Sequence, residues 1–115
     1  MGIAISVALA VLTSDTHGWA AGRAEAEAER SRMSKGKTLY IKHCVGCHGT
    51  EGKGDGYKLL GADPANLTSP STQKQSDSAL LRTIHEGRST MPSWKVRLSE
   101  RDSRAVLAYI RSLAR

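Results

Sequence analysis

Both cysteines of the chain lie in one stretch of five residues, Cys44-Val45-Gly46-Cys47-His48. Two thiols three positions apart, with an imidazole directly behind them, can do four kinds of chemistry. Each thiol can add to a vinyl group of haem, with the adjacent His48 turned to the iron as an axial ligand. The pair can cycle between dithiol and disulfide. With further ligands the three side chains can hold zinc. Or the thiols can close a structural disulfide. The redox pair calls for a preceding strand in a β-α-β pattern, which the sequence lacks. A closed zinc site needs a fourth ligand, and His43, His85 or an acid stands at no recognisable spacing for it. A disulfide across two intervening residues closes so small a loop that it restrains the unfolded chain little. Covalent haem attachment is the reading these residues favour.

A haem iron with both axial positions filled needs a second soft or imidazole ligand. Besides the initiator there are two methionines, Met33 and Met91. Met33 precedes the motif too closely to reach the opposite side of a ring. Met91 stands in a loop, followed by Pro92, whose ring fixes the local backbone. It is the expected second ligand, and a core gap-filler is the alternative. His85 is read as a surface histidine and His43 as solvent-facing. His17 falls in a segment expected to be removed.

These groups must be held by helices and loops. Ser34 is a suitable N-cap for a helix through Gly36, Leu39, Tyr40 and Val45 that carries the motif at its end and stops at Gly49. Gly49, Gly52, Gly54 and Gly56 then mark an irregular loop. It lacks the Gly-Lys-Ser/Thr ending of a phosphate-binding loop. The loop is expected to run on through Pro64-Ala65-Asn66-Leu67 and Ser69-Pro70. Ser76 caps a second helix with Leu80, Leu81 and Ile84 facing inward and Gly87 at its end. Ser99-Glu100-Arg101-Asp102 has the form of a capping box. Val106, Tyr109, Ile110 and Leu113 follow on one face of a last helix. Arg111 and Arg115 complement its dipole. With no convincing strand and no repeat, the class is all-α with long loops.

The N-terminal residues read as an export signal. Gly2–Leu12 is apolar but too short to span a membrane, and small residues follow near Gly18–Gly22. The expected organisation is a signal over 1–22, a polar tether over 23–33 and one domain over 34–115. The formal net charge is +6, and loss of residues 1–22 would remove Asp15 and no base. Such a balance suits partners with acidic surfaces. The basic residues are scattered, without a Lys/Arg block or interleaved aromatics, which argues against nucleic acid. Phenylalanine is absent and aromatics make up 4% of the chain, so a core of side chains alone would be thin. A bound haem would supply the missing apolar bulk.

Taken in order, Gly36…Tyr40…Cys44-Val45-Gly46-Cys47-His48-Gly49, Pro64-Ala65-Asn66-Leu67, Ile84–Trp94 and Leu107-Ala108-Tyr109-Ile110 resemble a monohaem class I cytochrome c of the small bacterial periplasmic type. The resemblance covers residues 34–115. It implies three to four helices with long loops around one covalently bound haem c. Cys44 and Cys47 would carry the thioethers, and His48 and Met91 would be the axial iron ligands. Pro64 would offer its carbonyl to the His48 imidazole, and Trp94 would line the haem pocket or reach a propionate. The first and last helices would cross at Gly36, with Tyr40 and Tyr109 packed there. The implied function is single-electron transfer by an exported periplasmic protein that shuttles between redox partners and is not itself an enzyme. The alternative is a haem subunit of a dehydrogenase, reductase or sulfur-oxidising complex. Membrane contact is expected only if the N-terminal segment stays uncleaved. Shorter loops and the lack of phenylalanine set the chain apart from the mitochondrial branch of the family.

Overall fold

In the computed structural model, residues 2, 16–57 and 63–115 are described. The apolar run of the expected signal lies, apart from Gly2, outside them. Five helices follow one another: α1 Thr16–His43, α2 Val45–His48, α3 Pro70–Gln73, α4 Asp77–Glu86 and α5 Glu100–Ser112. Among the described residues the only β pairing is an isolated bridge between Arg88 and Met91. No helix there is long and apolar enough to cross a membrane.

The segment expected to be a tether, 23–33, lies within α1, and Ser34 lies inside that helix rather than at its start. From Gly18 to Arg32 the helix is exposed, so packing does not explain it. Composition does, since Ala, Glu and Arg are strong helix formers. Glu29 and Arg32 add an ion pair one turn apart, at 3.4 Å. Burial begins at Met33 and Gly36.

From Gly36 onward α1 packs across α5. A Cβ on Gly36 would collide with the Ala105 carbonyl and sit 3.2 Å from Tyr109 Cβ. The absent side chain therefore sets how closely the two helices approach. Tyr40 and Tyr109 meet at this crossing with ring centroids 5.1 Å apart. Tyr40, Leu67, Ile84, Leu98, Val106 and Ile110 form the core, and Cys44, Val45, Met91 and Trp94 pack against it.

The caps of the later helices match the sequence reading. Ser76 Oγ accepts from Ala79 N, and Ser99 Oγ accepts from Asp102 N. Lys35 reaches the Asp102 carboxylate at 2.6 Å and so ties α1 to the start of α5. That ammonium, with help from Ser99, holds the Asp102 carboxyl below its usual range. Two further features depart from the sequence reading. Pro70 at the N-terminus of α3 makes one helical turn where a loop is expected, in keeping with the fixed φ of proline. Arg111 does more than face a helix end. It donates to Gln73 O at 2.8 Å, to Gln75 O at 2.6 Å and to Asp77 Oδ1 at 2.7 Å, clamping α5 onto the α3–α4 junction.

Candidate functional site

The motif occupies a break. α1 ends at His43, Cys44 is a turn residue, and α2 holds the rest. The helical ladder nonetheless runs across the break, with Cys44 N donating to Tyr40 O at 2.8 Å and His48 N to Cys44 O at 2.9 Å. Cys44 and Cys47 thus sit one turn apart on a continuous backbone, both as free thiols. Burial, and then the proximity of Cys47, pushes the Cys44 thiol up to about 11. A redox dithiol works through a depressed thiol pKa, so the Cys44 environment runs against that chemistry. Zinc fares no better, because among the described residues no three His, Cys, Asp or Glu side chains gather around one point.

The glycine loop folds back over the end of α2 and satisfies its carbonyls. Gly54 N donates to His48 O at 2.8 Å, Gly56 N to Cys47 O at 3.0 Å, and Tyr57 N to Gly46 O at 2.6 Å. Gly49 closes the helix at φ 81°, a conformation that favours glycine. Its carbonyl accepts the buried Tyr40 hydroxyl at 2.7 Å. Burial, with the nearby charges of Cys44, Tyr109 and Asp55, pushes that hydroxyl well up, so it stays a donor. The motif turn is therefore held almost wholly by main-chain bonds.

The same loop orients the imidazole. His48 Nδ1 lies 2.9 Å from the carbonyl oxygen of Ala65. A carbonyl only accepts, so Nδ1 carries the proton and Nε2 keeps its lone pair free for a metal. The acceptor is Ala65 and not Pro64, the residue that the resemblance implies. The Pro64 carbonyl instead faces Gly54, where a Cβ would collide with it and stand 3.1 Å from Ala65 O. Gly54 is thus what lets the 64–65 backbone come close enough for Ala65 to reach His48.

Met91 lies at the end of a tight turn. Arg88 N donates to Met91 O at 3.1 Å and Met91 N to Arg88 O at 2.9 Å. Ser89 takes a positive φ of 54° within it. Gly87 has no room for a side chain, because the backbone of Met91–Ser93 folds directly over it. Trp94 N then donates to Ile84 O at 3.0 Å, and Leu98 N to Trp94 O at 2.8 Å. Leu98 anchors the loop in the core.

Trp94 joins this loop to the motif. Its ring centroid is 5.1 Å from that of His43, and Arg97 lies over it at 5.7 Å. His43 is accordingly half-buried and not solvent-facing. Burial lowers its pKa, and the charges of Lys42 and Arg97 add to the effect. His85 is no plain surface histidine either, since its Nε2 meets the buried Ser103 Oγ at 2.6 Å. Cys44, Met91 and Trp94, far apart in sequence, all border one core.

The arrangement is two free thiols and a tautomer-fixed imidazole on one turn, with a half-buried thioether on a braced loop of the same core. This donor set fits a covalently held haem. Residues 31–110 match the family described as cytochrome c oxidase, cbb3-type, subunit III. The chain belongs to that family. It is 39% identical over 82 residues to the cbb3-type cytochrome c oxidase subunit FixP of Bradyrhizobium diazoefficiens, covering 70% of this chain and 27% of that protein. It is 35% identical over 104 residues to subunit CcoP of Rhodobacter capsulatus, covering 75% and 31%. The cytochrome thus spans about a third or less of the length of these relatives. Among solved structures it resembles the KustC0563 c-type cytochrome, with a TM-score of 0.59 and 29% identity over 70% of this chain and 98% of that one. It also resembles a chain of the Kuenenia stuttgartiensis reducing HAO-like protein complex Kustc0457/Kustc0458, with a TM-score of 0.56 and 32% identity, covering 70% and 41%. The fold is the all-α cytochrome c fold, and the chain is a haem-binding electron-transfer protein.

Sequence reasoning does not single out Ala65, Gly54, Ser103 or the Arg111 clamp. Only Gly54 carries a signal, as one of four clustered glycines. The other three act through main-chain carbonyls or long-range pairings that leave no local pattern.

Proposed function

We propose that this chain is the electron-transfer haem domain of a larger respiratory redox assembly of the oxidase type, working on the periplasmic side. The main support is the His48 geometry, in which Nδ1 is committed to Ala65 and Nε2 is left free one residue after a thiol. Cys44 and Cys47 would hold one haem c through thioethers, with His48 and Met91 as axial ligands. Haem c, when bound, supplies a one-electron couple. The residues around it do the rest. Ala65 and the glycine loop keep His48 in one orientation, and the Arg88–Met91 turn presents the thioether. Trp94 packs on His43 and so ties the Met91 loop to the motif.

The resemblance implies a free carrier first, with a haem subunit of a dehydrogenase, reductase or sulfur-oxidising complex as the alternative, and it does not point to an oxidase. The family match and the names of the relatives favour the oxidase. One observation favours the free carrier as second reading, namely that the chain covers nearly all of the small KustC0563 cytochrome. The partner-facing surface is proposed to be the one around Trp94. Lys35, Lys53, Arg104 and Arg111 each have an acid within 4 Å. Lys42, Lys95 and Arg97 have none among the described residues, and Val96 beside the last two is 90% exposed. Unspent positive charge around an apolar tip suits weak, steered docking on an acidic partner.

The test is an optical spectrum of the protein exported with the cytochrome maturation machinery. A c-type reduced spectrum, haem that resists acid-acetone extraction and a thioether–iron band in the oxidised form are expected. Met91→Ala should remove that band. Protein without haem would refute the proposal. Co-purification with a membrane oxidase would separate subunit from free carrier.

A further inference from the structure

Ser103, on α5, is fully buried, as are Tyr40 and Val106. A hydroxyl in such surroundings must be hydrogen-bonded or cost stability. Its partner is the His85 imidazole, at 2.6 Å. His85 belongs to the last turn of α4, so the bond runs from the core to the end of a helix.

The main chain of His85 faces the other way. Its carbonyl accepts from the Ser93 hydroxyl and from Lys95 N, the latter at 3.3 Å. The neighbouring Ile84 carbonyl accepts Trp94 N at 3.0 Å. Ser93 is two residues from Met91. A single residue is thus bonded by its side chain to the core of α5 and by its carbonyl to the loop that carries Met91. The turn itself is closed only locally, by the paired bonds between Arg88 and Met91. Its orientation on the domain depends on Gly87 and on these attachments at the end of α4.

We propose that His85, braced by Ser103, is a positioning residue for Met91. The pair fixes the last turn of α4, and that turn sets where the Met91 loop stands over the core. The proposal rests on the reading of Met91 as an iron ligand. It accounts for a polar pair set beside the apolar core cluster. A hydrocarbon at either position would fill the space but would leave the loop attached to a helix end free to shift.

The test uses the holoprotein and added imidazole, which competes with Met91 for the ferric iron. Displacement is followed by loss of the thioether–iron band. In His85→Leu and Ser103→Ala, half-displacement should need roughly a tenth of the imidazole required by the unmodified protein, the fold-change expected for one lost buried hydrogen bond. Glutamine can place a polar atom near the position of Nε2, so His85→Gln should stay within about threefold of the unmodified protein. A role confined to stability would lower the melting temperature of His85→Leu and leave its imidazole titration unchanged, and that result would overturn the proposal. So would a glutamine variant as weak as the leucine one. Should His85→Leu fail to fold, Ser103→Ala carries the comparison alone. If the unmodified protein shows no thioether–iron band, the Met91 assignment itself falls. A normal band with unaltered titrations in the variants sinks only the positioning role.

Discussion

Replacing Gly36 by alanine tests the geometry on which the whole domain hangs. Alanine is the better helix former by about 1 kcal/mol, so in an isolated helix the change would stabilise. Here the new methyl would strike the Ala105 carbonyl oxygen, stand 2.7 Å from the Ala105 carbonyl carbon and touch Tyr109 Cβ at 3.2 Å. Two of those three atoms are backbone, so no rotamer change relieves the overlap. The helices must part, and Tyr40 and Val106, both fully buried, lose part of their packing. Overpacking of this kind costs typically about 1–3 kcal/mol, occasionally more. With the backbone unable to give, the loss net of the propensity gain is expected to be about 2 kcal/mol. For a domain of this size that is a fall of roughly 10 °C in melting temperature. Lys37→Ala is the control, because Lys37 is exposed on the same helix one residue on. Thermal unfolding of both holoproteins followed by helical circular dichroism gives the comparison. A Gly36→Ala protein that melts at or above the unmodified one would refute the close-crossing argument.

Gly54→Ala should push the 64–65 backbone off the His48 ring. It also places a side chain at a φ of 77°. A shifted reduction potential and a loss of about 1–2 kcal/mol are expected, and an unchanged potential would mean that the Ala65 carbonyl does not tune His48. Arg111→Ala should cost about 1 kcal/mol in denaturant unfolding, mostly from the part-buried Gln73 carbonyl, because the exposed Gln75 carbonyl can turn to water and the exposed Asp77 pair adds little. Asp102 has a depressed carboxyl, so its contribution is present above its unfolded value of 3.8 and fades as the pH falls below it. Asp102→Asn should therefore be less stable than the unmodified protein at neutral pH and converge with it in acid. A constant gap across that range would point to something other than the charge. Joint reversal of Lys42 and Arg97 to glutamate should flatten the salt dependence of electron transfer to an acidic partner protein, and an unaltered slope would place docking elsewhere.

Cys44, Cys47, His48 and Met91 are proposed from the sequence because haem attachment would impose spacing within a turn and because Met91 stands beside a proline in a polar loop; the structure brings Cys44 and Met91 to the border of one core. The helix order and the Ser76 and Ser99 caps are legible for the same kind of reason, since a cap needs a named residue at a named place. The first half of α1 is not, because no residue between Gly18 and Arg32 faces a core. A test based on an apolar face sees nothing there, while propensity alone suffices. His43 and His85 mislead because each is covered by a residue distant in sequence, Trp94 in one case and Ser103 in the other.

Ala65 shows why one class of site residue stays hidden. It contributes a carbonyl, and every residue type has one. What the sequence must specify is the path that brings that carbonyl to His48, and the specification is spread over glycines whose own side chains are absent. Gly54 makes room for the 64–65 backbone, while Gly49 and Gly56 turn the chain so that main-chain donors cover the carbonyls of α2. The motif turn is thereby insulated from its side-chain surroundings. Pocket-lining residues can then vary, and with them the environment of a bound haem, without moving the imidazole. The Met91 loop is also held by main-chain bonds, but these run to the end of α4, which is itself braced by the side-chain pair of His85 and Ser103. Substitutions outside the ligand set should therefore disturb the Met91 side of the site before they disturb the His48 side, and imidazole displacement of Met91 across a panel of core variants would show whether that order holds.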